Sequence, residues 1–307
     1  MPHPSHPSRR RSGRTFLLAA AVALAVALVT SCSSHVDVGT EGVSSEWIDV
    51  AGPHDRRAIL VTDSDAEPDG ARPPLVVVLH GLGQDAEHMA TIGGWPSLAA
   101  DRGAVVVFAD GWHNSWNAGT CCGDAAGDGV DDIEYLDTLI DDVIESTGAD
   151  PDSVYMIGFS NGGMMTYRYM CEGSVRLRGA ASVAGTDVDS CMPTRAVDFI
   201  QISGSADDAV PLDSSKSVLP QLGPLVPVRD AVDGVAQAFA CPAPSTTRSG
   251  PATSTVWTPC RDGVTVRLDV IAGLLHAYPI VDGYQGTDQI LGVWRWPPTG
   301  LPDARSS

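Results

Sequence analysis

Runs of five or six apolar residues recur along this chain, and between them apolar residues return every three or four positions. The first pattern marks strands buried on both faces, the second marks helices with one buried side. Residues 74–80, 104–109, 154–157, 180–185, 197–202 and 264–271 read as strands of the first kind. Residues 47–50 and 57–61 read as two earlier strands around a Gly-Pro turn. Helical spacing covers 86–102, with a break near Gly93-Gly94, then 133–144, 164–170, 228–239 and 287–294. Asp131 with Glu134 forms a capping box, Gly148 closes that helix, and Pro151 stands just beyond. Strands alternating with helices predict an α/β fold, a mostly parallel sheet with helices on both faces. No internal repeat interrupts the pattern.

The two ends break it. Arg9, Arg10, Arg11 and Arg14 precede an apolar run over 16–29, which ends in Val29-Thr30-Ser31-Cys32. A basic start, a short apolar centre and small residues before the cleavage point predict an export signal over 1–31. The run is short for a membrane span. Val-Thr-Ser-Cys resembles a bacterial lipobox, which makes Cys32 the expected lipid-modified first residue of the mature chain. Residues 32–45, polar and glycine-containing, are expected to tether a single catalytic domain over 46–296. Residues 297–307 are expected to form a disordered tail.

Composition adds location and excludes some partners. A chain of 307 residues with 43% apolar content can bury a full core. The formal net charge is −19, and the leader carries only positive side chains, so the mature chain is more acidic still. That balance disfavours nucleic acid and anionic lipid surfaces. The membrane is therefore expected only through the lipid anchor, at the outer face of the cell, with a secreted protein as the alternative, and the domain is expected to be monomeric. Six cysteines besides Cys32 suggest disulfides in an exported protein, with several connectivities open. Cys241 with Cys260 is the preferred pair, because both flank one loop before a strand. Cys121 and Cys122 are not expected to bond each other, since vicinal bridges are strained.

Gly158-Phe159-Ser160-Asn161-Gly162 lies between the strand at 154–157 and the helix at 164–170. It fits the G-x-S-x-G nucleophile elbow of the α/β-hydrolase fold, in which glycines leave room for a tight strand-to-helix turn. A serine hydroxyl needs a base, and the base needs an orienting carboxylate, in the chain order serine, acid, histidine. Asp207 and Asp208 follow the strand at 197–202, and Asp207 is preferred because it comes directly off the strand end. His276 follows the last strand and is the only histidine after the elbow. Ser160, Asp207 and His276 are therefore the expected nucleophile, acid and base. The oxyanion hole is expected from the backbone N–H groups of Leu82 and Asn161. His80 is expected to be a structural hydrogen-bonder.

The loop over 111–117 is expected to border the substrate cleft, with Trp112, Trp116 and Asn117 touching substrate. Packing beneath the loop is the alternative for the two tryptophans. The acidic stretch over 124–132 lacks calcium-loop spacing, and no Cys or His spacing suits zinc. No metal or other cofactor is expected.

With these residues in place, the chain resembles the polyhydroxybutyrate depolymerase-type esterases, relatives of the feruloyl and acetylxylan esterases of carbohydrate esterase family one. The resemblance rests on Leu79-His80-Gly81, Trp116-Asn117, Cys121-Cys122-Gly123, Val130-Asp131-Asp132 and the elbow through Met164. It continues through Gly204-Ser205-Ala206-Asp207, Val210-Pro211, and His276 with Pro279. It implies hydrolysis of carboxylic esters, and it supports Asp207 over Asp208. Ser203, Leu274-Leu275 and Tyr278 depart from the family pattern and leave substrate choice open. An acyltransferase using the same three residues, related to the mycolyltransferases, is the nearest alternative. A non-catalytic surface binding protein is the other.

Overall fold

The computed structural model describes residue 1 and residues 35–52, 54–65 and 72–296. The expected export signal, Cys32 and the tail over 297–307 lie outside the described residues. The strands and helices all belong to the unit Ser33–Ser307.

Its strands are β1 (Val43–Val50), β2 (Arg56–Asp63), β3 (Leu75–Leu79), β4 (Val105–Ala109), β5 (Val154–Phe159), β6 (Leu177–Val183), β7 (Asp198–Gly204), β8 (Ser245–Ser249), β9 (Ala252–Trp257) and β10 (Val266–Ile271). The helices are α1 (Ala86–Ala90), α2 (Ser97–Arg102), α3 (Gly123–Gly127), α4 (Asp132–Thr147), α5 (Asn161–Glu172), α6 (Val228–Ala238) and α7 (Gly286–Val293). These ten strands form one sheet in the order β1-β2-β4-β3-β5-β6-β7-β10-β9-β8, and Ile280–Val281 pairs with Tyr284–Gln285 in a separate two-stranded sheet. Neighbours from β4 to β10 run parallel. Antiparallel strands flank that centre on both edges, β1 and β2 on one side, β9 and β8 on the other.

Alternate side chains of a strand serve opposite faces. Leu75, Val77 and Leu79 of β3 pack with Leu136 and Ile140 of α4, Met165 of α5 and Val232 of α6. Val76 and Val78 join Met89 of α1, Leu98 of α2 and Ile290 of α7 on the other face. Burying each such side chain contributes roughly 1.5–3 kcal/mol. Asp131 caps α4 by accepting from Glu134 N at 3.0 Å, and Gly148 ends it in the left-handed region. The expected break between α1 and α2 is made by Gly93 and Gly94, both at positive φ.

Three features differ from the sequence reading. The β8–β9 hairpin was not expected, because β8 is exposed at all five positions and carries no apolar signal. The expected tether is partly drawn into the fold: β1 starts at Val43, and Val38 is buried. Cys121 and Cys122 are paired with each other, contrary to expectation; their shared peptide bond is cis, and their Cα atoms lie 3.1 Å apart. Cys241 is joined to Cys260 as expected, and Cys171 to Cys191. Disulfides of this kind fit an oxidising, extracellular compartment.

Candidate active site

β5 lies between β3 and β6, and all six of its residues are buried. The strand delivers its last residue at the C-terminal end of the sheet, just before α5 begins. Ser160 makes that turn at φ 54°, ψ −117°, a conformation an L-residue holds only when its surroundings enforce it. They do so here through hydrogen bonds from Ser160 N to Val183 O at 2.8 Å and from Met164 N to Ser160 O at 3.0 Å. A Cβ on Gly158 would collide with the Gly162 backbone, and one on Gly162 would lie 2.5 Å from Leu79 O. Both glycines are thus required by close backbone approach.

β7 and β10 are parallel neighbours, so the loops leaving their ends emerge side by side. Ser205 N donates to Ile271 O at 2.9 Å, Ala206 N to Leu274 O at 3.0 Å, and Gly273 N to Ser205 Oγ at 2.8 Å. This zipper sets Asp207 beside His276. Asp207 Oδ2 lies 2.8 Å from His276 Nδ1, and His276 Nε2 lies 2.8 Å from Ser160 Oγ. Asp207 Oδ1 accepts from Ala209 N at 3.0 Å and Val210 N at 2.8 Å. A carboxylate so placed accepts a hydrogen bond from Nδ1–H, leaving Nε2 as the acceptor that faces the serine. Asp208 points outward and is exposed.

Ser160 and His276 open on a cavity of about 410 Å³. Leu82, Ile92, Phe159, Leu219 and Leu222 make its wall largely apolar, and Gln84 and Gln221 add two carboxamides. Tyr278 also lines it, but its hydroxyl is engaged by Trp95 Nε1 at 3.0 Å and Thr287 Oγ1 at 2.9 Å, so it offers mainly its ring. Gln84 Oε1 accepts from Gly81 N at 2.9 Å and Gln84 N donates to Gly81 O at 3.1 Å, which closes the turn carrying Leu82. Among the described residues no hydrogen bond engages the backbone N–H of Leu82 or of Asn161.

His80 is fully buried and lies outside the cavity wall. Its Nε2 accepts from Gly111 N at 2.9 Å, which leaves the ring proton on Nδ1 to reach Gly81 O at 2.8 Å. Burial lowers its pKa, so the neutral ring is favoured.

The residues expected as substrate contacts over 111–117 do not line this cavity. Trp112, Trp116 and Asn117 are all absent from the cavity wall. Trp112 bonds Asp128 Oδ2 at 3.0 Å and stacks on His113, 4.3 Å between centroids. Asn117 is taken up by Asp132, Val130 and Arg168: its N donates to Asp132 Oδ2 at 2.6 Å, its Nδ2 to Val130 O at 2.9 Å, and its O accepts from Arg168 Nη1 at 2.6 Å. Trp116 is 0% exposed. Its backbone N donates to Asn161 Oδ1 at 2.8 Å, its O accepts from Asn161 Nδ2 at 3.0 Å, and its indole N–H bonds His80 O at 2.9 Å. Tryptophan in a polar loop reads as a contact residue; three buried hydrogen bonds hold this one inside instead. The sequence reading also missed Gln84, which lies five residues beyond the end of β3, and the side chain of Asn161, whose motif position advertised only its backbone.

No family model matches the chain. It is 34% identical over 143 residues to a protein of Nocardia uniformis subsp. tsuyamanensis named as an esterase, NocK, covering 46% of this chain and 42% of that one. It is 26% identical over 227 residues to feruloyl esterase B of Piromyces equi, covering 70% of this chain and 41% of that one. The chain spans less than half the length of the curated relatives it matches. The solved acetyl xylan esterase from Aspergillus awamori superposes with a TM-score of 0.61 at 14% identity, covering 82% of this chain and 100% of that one. The chain has the α/β-hydrolase fold, and the curated proteins it resembles are named as esterases.

Proposed function

We propose that this chain is an exported serine esterase that hydrolyses soluble or oligomeric carboxylic esters through Ser160, His276 and Asp207. The observation that carries the reading is the unbroken relay from Ser160 Oγ to His276 Nε2 and from His276 Nδ1 to Asp207, 2.8 Å at each step. His276 takes the hydroxyl proton as Ser160 Oγ attacks the ester carbonyl, while Asp207 holds the ring in its Nδ1–H tautomer and stabilises the imidazolium. The tetrahedral oxyanion is received by the N–H groups of Leu82 and Asn161. His276 then passes its proton to the leaving alcohol. Water repeats the sequence on the acyl-enzyme and frees the acid. No cofactor enters these steps.

The acetyl xylan and feruloyl names among the relatives support short acyl or aromatic acyl esters, and the largely apolar cavity suits either. Hydroxybutyrate oligomers belong to the same proposal through the motif resemblance. Export with lipid attachment at Cys32 rests on the leader sequence, and the disulfides agree with an extracellular site. A monomer is the proposed working form.

The test is turnover of 4-nitrophenyl acetate, methyl ferulate and a hydroxybutyrate dimer by the purified protein, beside Ser160→Ala. Release of acid from at least one ester, abolished in the variant, is expected. Undiminished release by Ser160→Ala, or transfer of the acyl group to an added sugar in place of hydrolysis, would overturn the esterase reading.

A further inference from the structure

We infer that Trp116 is a positioning residue that ties the two halves of the oxyanion hole together, a role that rests on the proposed esterase activity. The two proposed donors come from separate segments. Leu82 lies in the turn after β3, and Asn161 opens α5 after β5. The strands beneath are paired, with Leu79 opposite Gly158, but pairing stops where the donors begin. Beyond the strand ends something else must fix the separation of two N–H groups that have to meet one oxygen.

Trp116 reaches both segments with strong geometry. Its peptide N–H and C=O make a two-point contact with the Asn161 carboxamide, at 2.8 and 3.0 Å. The donor and acceptor ends of that contact settle which way the amide faces. The indole N–H bonds His80 O at 2.9 Å, two residues before Leu82. Trp116, His80 and Asn161 are each 0% exposed, so no water competes for these bonds and loss of any one leaves an unpaired buried group.

The residue is itself held from behind. Trp116 O also accepts from Cys122 N at 3.1 Å, and the neighbouring Asn117 is gripped by Asp132 and Arg168. Asp132 in turn pairs with buried Arg56, whose guanidinium sits 3.7 Å over the Tyr135 ring. The loop that bears two tryptophans thus serves as a brace between the two segments, in line with the packed alternative that the sequence left open for Trp116. Trp116 touches no reacting atom; its effect passes through Asn161 and His80.

Trp116→Phe tests this, because it keeps an aromatic ring and both backbone bonds to Asn161 while removing the indole N–H; the pyrrole portion of the buried indole is lost with it, so stability is followed beside activity. Rates are normalised to sites titrated with a fluorophosphonate. A small displacement of one donor is expected to lower kcat about 10- to 100-fold. KM should change little, and the Ki of a trifluoromethyl ketone, which mimics the oxyanion, should rise in parallel. Lowered stability alone reduces the titrated sites and leaves the Ki of those that remain unchanged. Asn161→Ala provides a second reading should Trp116→Phe fail to fold, since it removes both bonds to the Trp116 peptide, keeps the backbone N–H of residue 161 and adds no charge beside the oxyanion. Wild-type kcat and Ki per titrated site in the folded variant would overturn the positioning role while leaving the esterase reading intact. A wild type that takes no fluorophosphonate label would overturn both.

Discussion

Asp207 Oδ2 lies 2.8 Å from Nδ1 of His276, while the other oxygen of the same carboxylate is held by two backbone N–H groups. The adjacent Asp208 is exposed and takes no part. Asp207→Asn would keep the shape and place an amide against Nδ1, favouring the wrong tautomer. By comparison with serine protease triads it should lower kcat by about 10⁴-fold. Asp208→Asn should stay within about twofold of wild type, as a surface change away from the relay. Steady-state kinetics on the same ester separates the two, and equal losses would contradict the assignment.

Gly162→Ala tests the elbow as a packing problem. Its Cβ would lie 2.5 Å from Leu79 O and 2.6 Å from His80 O, both backbone atoms that cannot swing aside. A stability loss of about 1–3 kcal/mol is expected in urea unfolding, the usual cost of overpacking a tight site. An unchanged midpoint would mean that the approach of α5 to β3 is looser than described.

His80 should make stability depend on pH. Its native pKa is lowered, chiefly by burial; the hydrogen bond to Gly81 O offsets this in part, Asp110 and Asp85 less, and His88 adds to the lowering. The unfolded chain titrates near the ordinary histidine value of about 6.5. Below that value the unfolded state binds a proton that the native ring resists. The His80 contribution is therefore complete above about pH 6.5 and is lost as pH falls toward the lowered native pKa. Protonation would also cost the Gly111 N–H its acceptor at Nε2. Unfolding free energies measured between about pH 7 and 5 should fall more steeply for wild type than for His80→Gln. Equal slopes would contradict a buried neutral ring.

The Cys241–Cys260 bridge closes a loop across 19 positions that carries the β8–β9 hairpin. Replacing both cysteines with alanine should cost about 3 kcal/mol, mainly through the freer unfolded chain. Denaturant unfolding of the purified variant checks this, and a change below about 1 kcal/mol would place the loop's restraint elsewhere.

Much of the fold was legible in local pattern. β3, β4 and β5 are apolar at nearly every position, and the capping box and Gly148 marked α4 by its ends. Ser160, Asp207 and His276 stand apart in sequence, yet each follows a strand, so fold order alone suggested where they would meet. What stayed hidden depends on contacts across the sheet. Nothing near Trp116 announces that its peptide pairs with the side chain of Asn161, 45 positions away. The exposed Ser245–Ser249 strand is held by pairing with β9 and by the Cys241 bridge at its base, and neither leaves an apolar trace. The pairing of Cys121 with Cys122 depends on local backbone geometry that composition does not signal.

Intact mass after treatment with a fluorophosphonate reports an activated serine at position 160. One adduct is expected on the wild type and none on Ser160→Ala or His276→Ala. A folded wild type that stays unlabelled, or a Ser160→Ala variant that labels equally well, would contradict the esterase reading.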